Sequence, residues 1–180
     1  MKKSWKILVL ICFCMVGIFG CNGNEQGEEK LKYNIQEMTA EEIVAYFQAC
    51  ELSINKVISY DEETDTNGLL GRPNEYTSKV NFSDSRVEQY DEEENPVGGS
   101  IEVFNNSEDA KKRYDYVEAV TSSSSLFGQY LYLYENVFLR IDYDLTPSQA
   151  KEYEQVFIAL QSGVEPSAEL KTADEENAKE

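Results

Sequence analysis

Histidine is absent from this chain, which removes the side chain most used as a general base and as a transition-metal ligand. What chemistry is left must come from carboxylates, arginines, tyrosines and cysteine. Glu102 and Asp142 are candidates for the acid and base of a histidine-free enzyme, a reading that needs two carboxylates converging in a cleft. Glu63-Thr64-Asp65-Thr66-Asn67-Gly68 alternates oxygen-bearing side chains and ends on glycine, as a calcium loop does. Yet Asn74 stands where the closing bidentate carboxylate belongs and Pro73 stiffens the place before it, so the segment reads as an acidic turn and no metal is expected. In Leu69-Leu70-Gly71-Arg72-Pro73-Asn74-Glu75-Tyr76, a glycine and a proline restrict the backbone on both sides of Arg72. The result is a guanidinium on a stiff corner, suited to a carboxylate or phosphate, or simply to one of the chain's many acids. Tyrosines at 130, 132 and 134 alternate, which marks one face of a strand.

Three helices must position these groups, and each is announced by its cap. Thr39 with Glu42 forms a capping box ahead of Ile43, Tyr46, Phe47 and Cys50, predicting a helix over about 40–51. Cys50 thereby falls on an apolar face and reads as buried and inert. Ser107, with Glu108 and Asp109 in the first turn, opens a second helix with Ala110, Tyr114, Val117 and Val120 as its stripe, dissolving between Thr121 and Ser125. Thr146-Pro147-Ser148-Gln149 opens a third, with Ala150, Tyr153, Val156, Phe157 and Leu160 buried and Gly163 as the stop.

Strands fill the gaps. Tyr76 to Ser83 alternates, with Tyr76, Ser78, Val80 and Phe82 on one face. Ser100 to Phe104 follows an acidic loop and Gly98-Gly99, and Ile54 to Tyr60 is a further strand. Gln129 to Tyr143 reads as a hairpin turning at Glu135-Asn136. A three-residue loop with Asn136 left-handed puts Leu131, Leu133, Val137, Leu139 and Ile141 on one aliphatic face. Tyr130, Tyr132, Phe138 and Arg140 then share the other, with Arg140 opposite Tyr130. The fold class expected is α+β: an antiparallel sheet of four to five strands with three helices packed mainly on one face.

The chain begins with Lys2, Lys3 and Lys6 before an apolar run from Ile7 to Phe19, then Gly20-Cys21, which are the marks of a secretory signal too short to span a membrane. Ile18-Phe19-Gly20-Cys21 resembles the lipobox of bacterial lipoproteins. That resemblance implies cleavage before Cys21, a diacylglyceryl group on its sulfur, and an extracytoplasmic, membrane-anchored product. Cys12 and Cys14 leave with the leader, so no disulfide forms within the mature chain. The domains expected are a signal peptide over 1–20, a lipidated flexible tether over 21–38, one α+β domain over 39–164 and a disordered acidic tail over 165–180. A coil of the tether's length spans roughly 20–25 Å. The formal net charge of −18 becomes more negative once the basic leader is lost. Such a surface repels nucleic acid and anionic lipid heads, which leaves the lipid on Cys21 as the membrane contact.

Ser53-Ile54-Asn55-Lys56 resembles the S-x-x-K motif of penicillin-recognising serine enzymes, and Ser83-Asp84-Ser85 echoes their second motif. The domain is too small for that fold, and the third motif has only Lys171-Thr172-Ala173, in the tail. The L-G-x-P turn at Leu70 to Pro73 resembles that of small periplasmic lipoproteins related to β-lactamase-inhibitor proteins. Leu69 to Tyr76, Gly98 to Phe104 with the helix after it, and Asn136 to Tyr153 together resemble uncharacterised lipoproteins of Gram-positive bacteria, a likeness that brings no activity. The function expected is a non-catalytic binding module without cofactor. It holds a protein partner through the Tyr130, Tyr132, Phe138 and Arg140 face or the Arg72 corner. A carboxylate enzyme or a structural cell-envelope protein are the alternatives.

Overall fold

A computed structural model describes residues 32–88, 90–91, 95–123 and 128–172, all within one unit, Leu31–Glu180. The leader, Cys21, the tether up to residue 31 and the last residues of the tail lie outside the described residues. The chain order is α1 (Ala40–Ala49), β1 (Ile54–Ser59), β2 (Tyr76–Asp84), β3 (Gly98–Phe104), α2 (Ser107–Ser123), β4 (Gln129–Tyr134), β5 (Val137–Asp142) and α3 (Pro147–Gln161). The strands form one five-stranded sheet in the order β1-β2-β3-β5-β4, antiparallel throughout. The α+β class is as the sequence predicts.

The caps explain the helices. Both capping boxes form, at Thr39 with Glu42 and at Thr146 with Gln149, and Gly163 takes φ +68 just past the end of α3. The cap of α2 lies one residue earlier than expected, because Asn106 Oδ1 accepts the Asp109 backbone N–H at 2.9 Å and Ser107 is already helical. β3 also starts early, at Gly98. A Cβ on Gly98 would stand 2.5 Å from the Asp84 nitrogen, and one on Gly99 2.5 Å from the Arg140 carbonyl oxygen. The glycines therefore belong to the sheet, where only a missing side chain lets three strands approach.

α1 and α3 pack on one sheet face. There Val80, Phe82, Ile101, Leu139 and Ile141 meet Ile43, Phe47, Tyr153, Val156 and Phe157 in a core without solvent access. Each such side chain contributes about 1.5–3 kcal/mol by leaving water. Phe82 stacks on Tyr153 with centroids 5.6 Å apart. Cys50 is buried there too, and burial pushes its thiol up. α2 lies on the opposite face, over a smaller cluster of Tyr76, Phe104, Ala110, Val117 and Phe138.

Three expectations need correction. First, the hairpin loop has two residues: Tyr134 pairs with Val137, and Glu135 takes the positive φ, of 48, with Asn136 beside it. Tyr130, Tyr132 and Tyr134 therefore share the α1/α3 face with Leu139 and Ile141, while Leu131 and Leu133 join Phe138 and Arg140 on the other. Asn136 is held by a different task, since its Nδ2 donates to the Phe104 carbonyl at 2.8 Å and to that of Gln36 at 3.3 Å. The tyrosines tolerate the packed face because they reach its margin, where Tyr130 Oη donates to the Leu145 carbonyl. Second, an irregularity between Tyr76 and Ser78 moves Tyr76 off the face of Val80 and Phe82 and onto that of Lys79. Third, the folded region is longer than 39–164. Ile35 is buried, and the Tyr33 ring meets Tyr46 edge-on at 5.3 Å. At the other end Leu170 packs on the core, Lys171 Nζ donates to the Glu51 carbonyl, and Tyr46 Oη donates to that of Val164. Sparse apolar residues in polar stretches give no periodic signal, so only long-range contact identifies them.

Candidate functional site

Under α2 the sheet carries charge where an apolar row is the rule. Register places Lys79 beside Glu102 and Ser100 beside Arg140 on neighbouring strands. α2 contributes Arg113, which sits on the helix's buried stripe between Ala110 and Val117. Glu102 is wholly buried and accepts two bonds from Arg113, Nε to Oε2 at 2.9 Å and Nη2 to Oε1 at 3.1 Å. Arg140 Nη2 donates to the same Oε1 at 3.1 Å, while its Nε donates to Ser100 Oγ at 2.8 Å. Burial works against ionising Glu102, but the fields of Arg140 and Arg113 and the Arg113 bonds win and hold its carboxyl below the usual range. The two guanidiniums thus converge on one oxygen, and neither Nη1 makes a bond among the described residues.

A second buried carboxylate organises the loop beside this centre. Asp65 Oδ2 accepts from the Leu69 and Leu70 N–H groups and from Tyr76 Oη at 2.6 Å, and Oδ1 accepts from Lys79 Nζ at 2.7 Å. Lys79 is itself buried, with its ammonium 4.6 Å from the Tyr60 centroid and 5.6 Å from that of Tyr76. Burial opposes the charge on Asp65, yet Lys79, Tyr76 and the two amides hold its carboxyl well below the usual range. The lone pairs that a calcium loop offers to a cation are here spent on protein donors. This one side chain fixes the 65–76 segment against β2, with Gly68, Gly71 and Asn74 at positive φ completing the corner.

Between that corner and α2 opens a cleft of about 990 Å³, within the range of small-molecule and peptide sites. Leu69, Pro73 and Glu75 form one wall, Tyr116, Val117 and Val120 of α2 the other, and Arg113, Arg140 and Gln129 the floor. Tyr116 is 64% exposed. A smaller hollow of about 280 Å³ continues along the sheet past Asn81 and Ser100 and shares Arg140, Gln129, Asp142 and Asp144 with the cleft. Asp142 is engaged: Oδ2 accepts the Gly98 N–H and Oδ1 the Gln129 amide. Asp144 is exposed at the margin.

Of the binding residues the sequence singles out, Arg140 alone reaches this cleft; of its two candidate carboxylates, Asp142 lines the cleft and Glu102 is buried against the two arginines. Phe138 is fully buried beneath α2, and Tyr130 and Tyr132 lie half-buried on the other face. The four do not form a patch, because the hairpin register separates them. Arg72 is exposed and folds back toward Gly68, away from the cleft lining. Its guanidinium has no carboxylate partner among the described residues. Sequence reasoning missed Lys79 and Arg113, and read Asp65 only as part of an acidic turn. A lysine in mid-strand and an arginine on a helix's apolar stripe were the available signals. Among the described residues no cluster of acids or cysteine has the arrangement of a metal site, and no helix is long and apolar enough to cross a membrane. What these observations define is a five-stranded antiparallel α+β domain with an arginine-floored cleft. No family model, curated protein or solved structure matches the chain.

Proposed function

We propose that this protein is a lipid-anchored, extracytoplasmic, non-catalytic binding module. Its cleft takes a segment of a partner polypeptide presenting a carboxylate to Arg113 and Arg140. The observation that carries the reading is the pair of guanidiniums clamped on Glu102 at the cleft floor, each with Nη1 unbonded among the described residues. Cations pre-positioned by a buried carboxylate lose little freedom when an anion arrives. Asp144 and Glu75 at the margin suit an ammonium on the same ligand, so a chain terminus or a mixed-charge segment fits both ends. Glu102 favours binding over acid–base chemistry, since a carboxylate held ionised by two arginines is a weak base with no proton to give at neutral pH. The anchor rests on the leader and Cys21.

Short peptides with free carboxyl termini, titrated into the mature domain, test the cleft. Free peptides should bind and their amidated counterparts should bind about tenfold or more weakly, the worth of one charge-assisted bond. Arg140→Lys should abolish the difference while leaving the circular dichroism unchanged. Equal binding of free and amidated peptides sinks the carboxylate reading. Separately, the native protein should enter the detergent phase on phase partition and Cys21→Ser should stay in water.

A further inference from the structure

The sheet ends in two edges that are built differently. β1 carries Lys56, is broken in register between Ile54 and Val57, and is largely exposed. Those are devices by which sheets refuse further strands. β4 has none of them. Its six residues, Gln129 to Tyr134, include no charge and no proline, and they pair with β5 without a break. Having a neighbour on one side only, β4 turns alternate N–H and C=O groups outward, and among the described residues no strand pairs with them.

Beside this edge and α2 runs a groove of about 350 Å³, walled by Tyr114, Glu118 and Thr121 and by Tyr130 and Tyr132 of the strand, which meets the arginine cleft at Thr121 and Gln129. No lysine or arginine lines it. Glu118 stands in its wall and Glu135 is exposed at the turn ending β4, while Glu154 of α3 is already paired with Lys151 at 3.0 Å. An edge strand beside a helix accepts an extended segment by strand addition: main-chain bonds hold it and flanking side chains select it.

We propose that β4 is a docking edge for an extended, lysine- or arginine-rich segment of a partner polypeptide, which adds as a sixth strand with its cations toward Glu118 and Glu135. The acids decide the occupant. A second copy would bring the same carboxylates to the same seam, within a chain of net charge −18. This site adjoins the arginine cleft at Thr121 and Gln129 and takes a ligand of the opposite charge.

The probe is a fluorescent peptide of alternating lysine and valine, with two controls: the same peptide N-methylated at every second residue, and its glutamate-valine counterpart. Binding should fall about tenfold or more in each control, because N-methylation removes several main-chain donors and the acidic peptide meets repulsion. In hydrogen exchange the peptide should protect alternate amides of β4 and none of β1. Glu118→Lys, an exposed substitution, should weaken binding about threefold to tenfold with an unchanged thermal midpoint. The proposal is overturned if the N-methylated peptide binds as well as the parent, if β4 amides are unaffected, or if the free protein dimerises through β4.

Discussion

The two faces of the sheet solve the same burial problem by opposite means. Under α1 and α3 the chain packs aromatic and aliphatic side chains to zero exposure, and its buried charge sits at one end. There Arg86 clamps Asp84 with two bonds of 2.8–2.9 Å while Tyr153 Oη donates to the same carboxylate at 2.7 Å. Under α2 the middle of the face is ionic: Lys79 with Asp65, and Glu102 with Arg113 and Arg140. Buried ion pairs are weak sources of stability, because desolvation consumes most of the Coulomb gain. Their value here lies in direction, since an apolar contact cannot hold a guanidinium at a cleft floor. The sealed face supplies stability and the ionic face supplies geometry.

Breaking either side should give large effects with different signatures. Phe157→Ala on the sealed face should cost about 3–5 kcal/mol through lost burial and a cavity, seen as a lowered denaturation midpoint in urea. Glu102→Ala should cost a comparable ~3–5 kcal/mol, by leaving two arginines without their carboxylate. Removing the whole set sharpens the contrast: Glu102→Met with Arg113→Met and Arg140→Met should recover most of that loss, and no single second substitution should rescue Phe157→Ala. Recovery absent in the ionic case would mean that the network is a net stabiliser, contrary to the division drawn above.

Acid should weaken the ionic face. Asp65 and Glu102 have carboxyls held below their ordinary values of 3.8 and 4.5, so the stability they contribute is complete above those values. It is lost as pH falls through the lower folded-state range. The amides of the 65–76 loop should therefore lose exchange protection progressively as pH falls below about 4. The Asp84 carboxyl is lowered as well, by Arg86 and Tyr153 against its burial, which places α3's own acid step in the same direction. At the alkaline end the sign reverses. Burial pushes the Tyr132 hydroxyl up to about 12, and stability drawn from it falls as pH rises from 10 toward that value. The smallest effect expected is Asn106→Ala, which removes the α2 cap at a cost of about 1 kcal/mol. It should loosen the cleft wall, with faster exchange confined to the first turn of α2.

Much of this fold is legible in the residues alone. Both capping boxes, the proline of α3, the stop at Gly163 and the existence of every strand follow from local rules. They follow because caps and period-two patterns are short-range physics. The site was legible only in fragments. Arg140, Glu102 and Asp142 could each be picked out, but not their meeting, and the residues grouped with Arg140 were the wrong ones, since the choice between a two- and a three-residue hairpin loop moves every side chain of β4 to the opposite face. The turn Glu135-Asn136 does not fix that choice. A carbonyl thirty-two residues away, on Phe104, claims the Asn136 amide.

By itself, then, the sequence determined where helices start and stop, which segments are strands, the α+β class, the acidic surface, and the absence of any histidine chemistry. Only the tertiary structure decided which face each strand shows, that Lys79, Glu102, Arg113 and Arg140 share a buried neighbourhood, that residues 32–38 and 165–172 belong to the domain, and that β4 is left as an unguarded edge. The physical reason is the range of the forces. Capping and periodicity act within a few residues, whereas register, burial of charge and edge position depend on which distant segments arrive alongside, and one chain's composition admits several such arrangements.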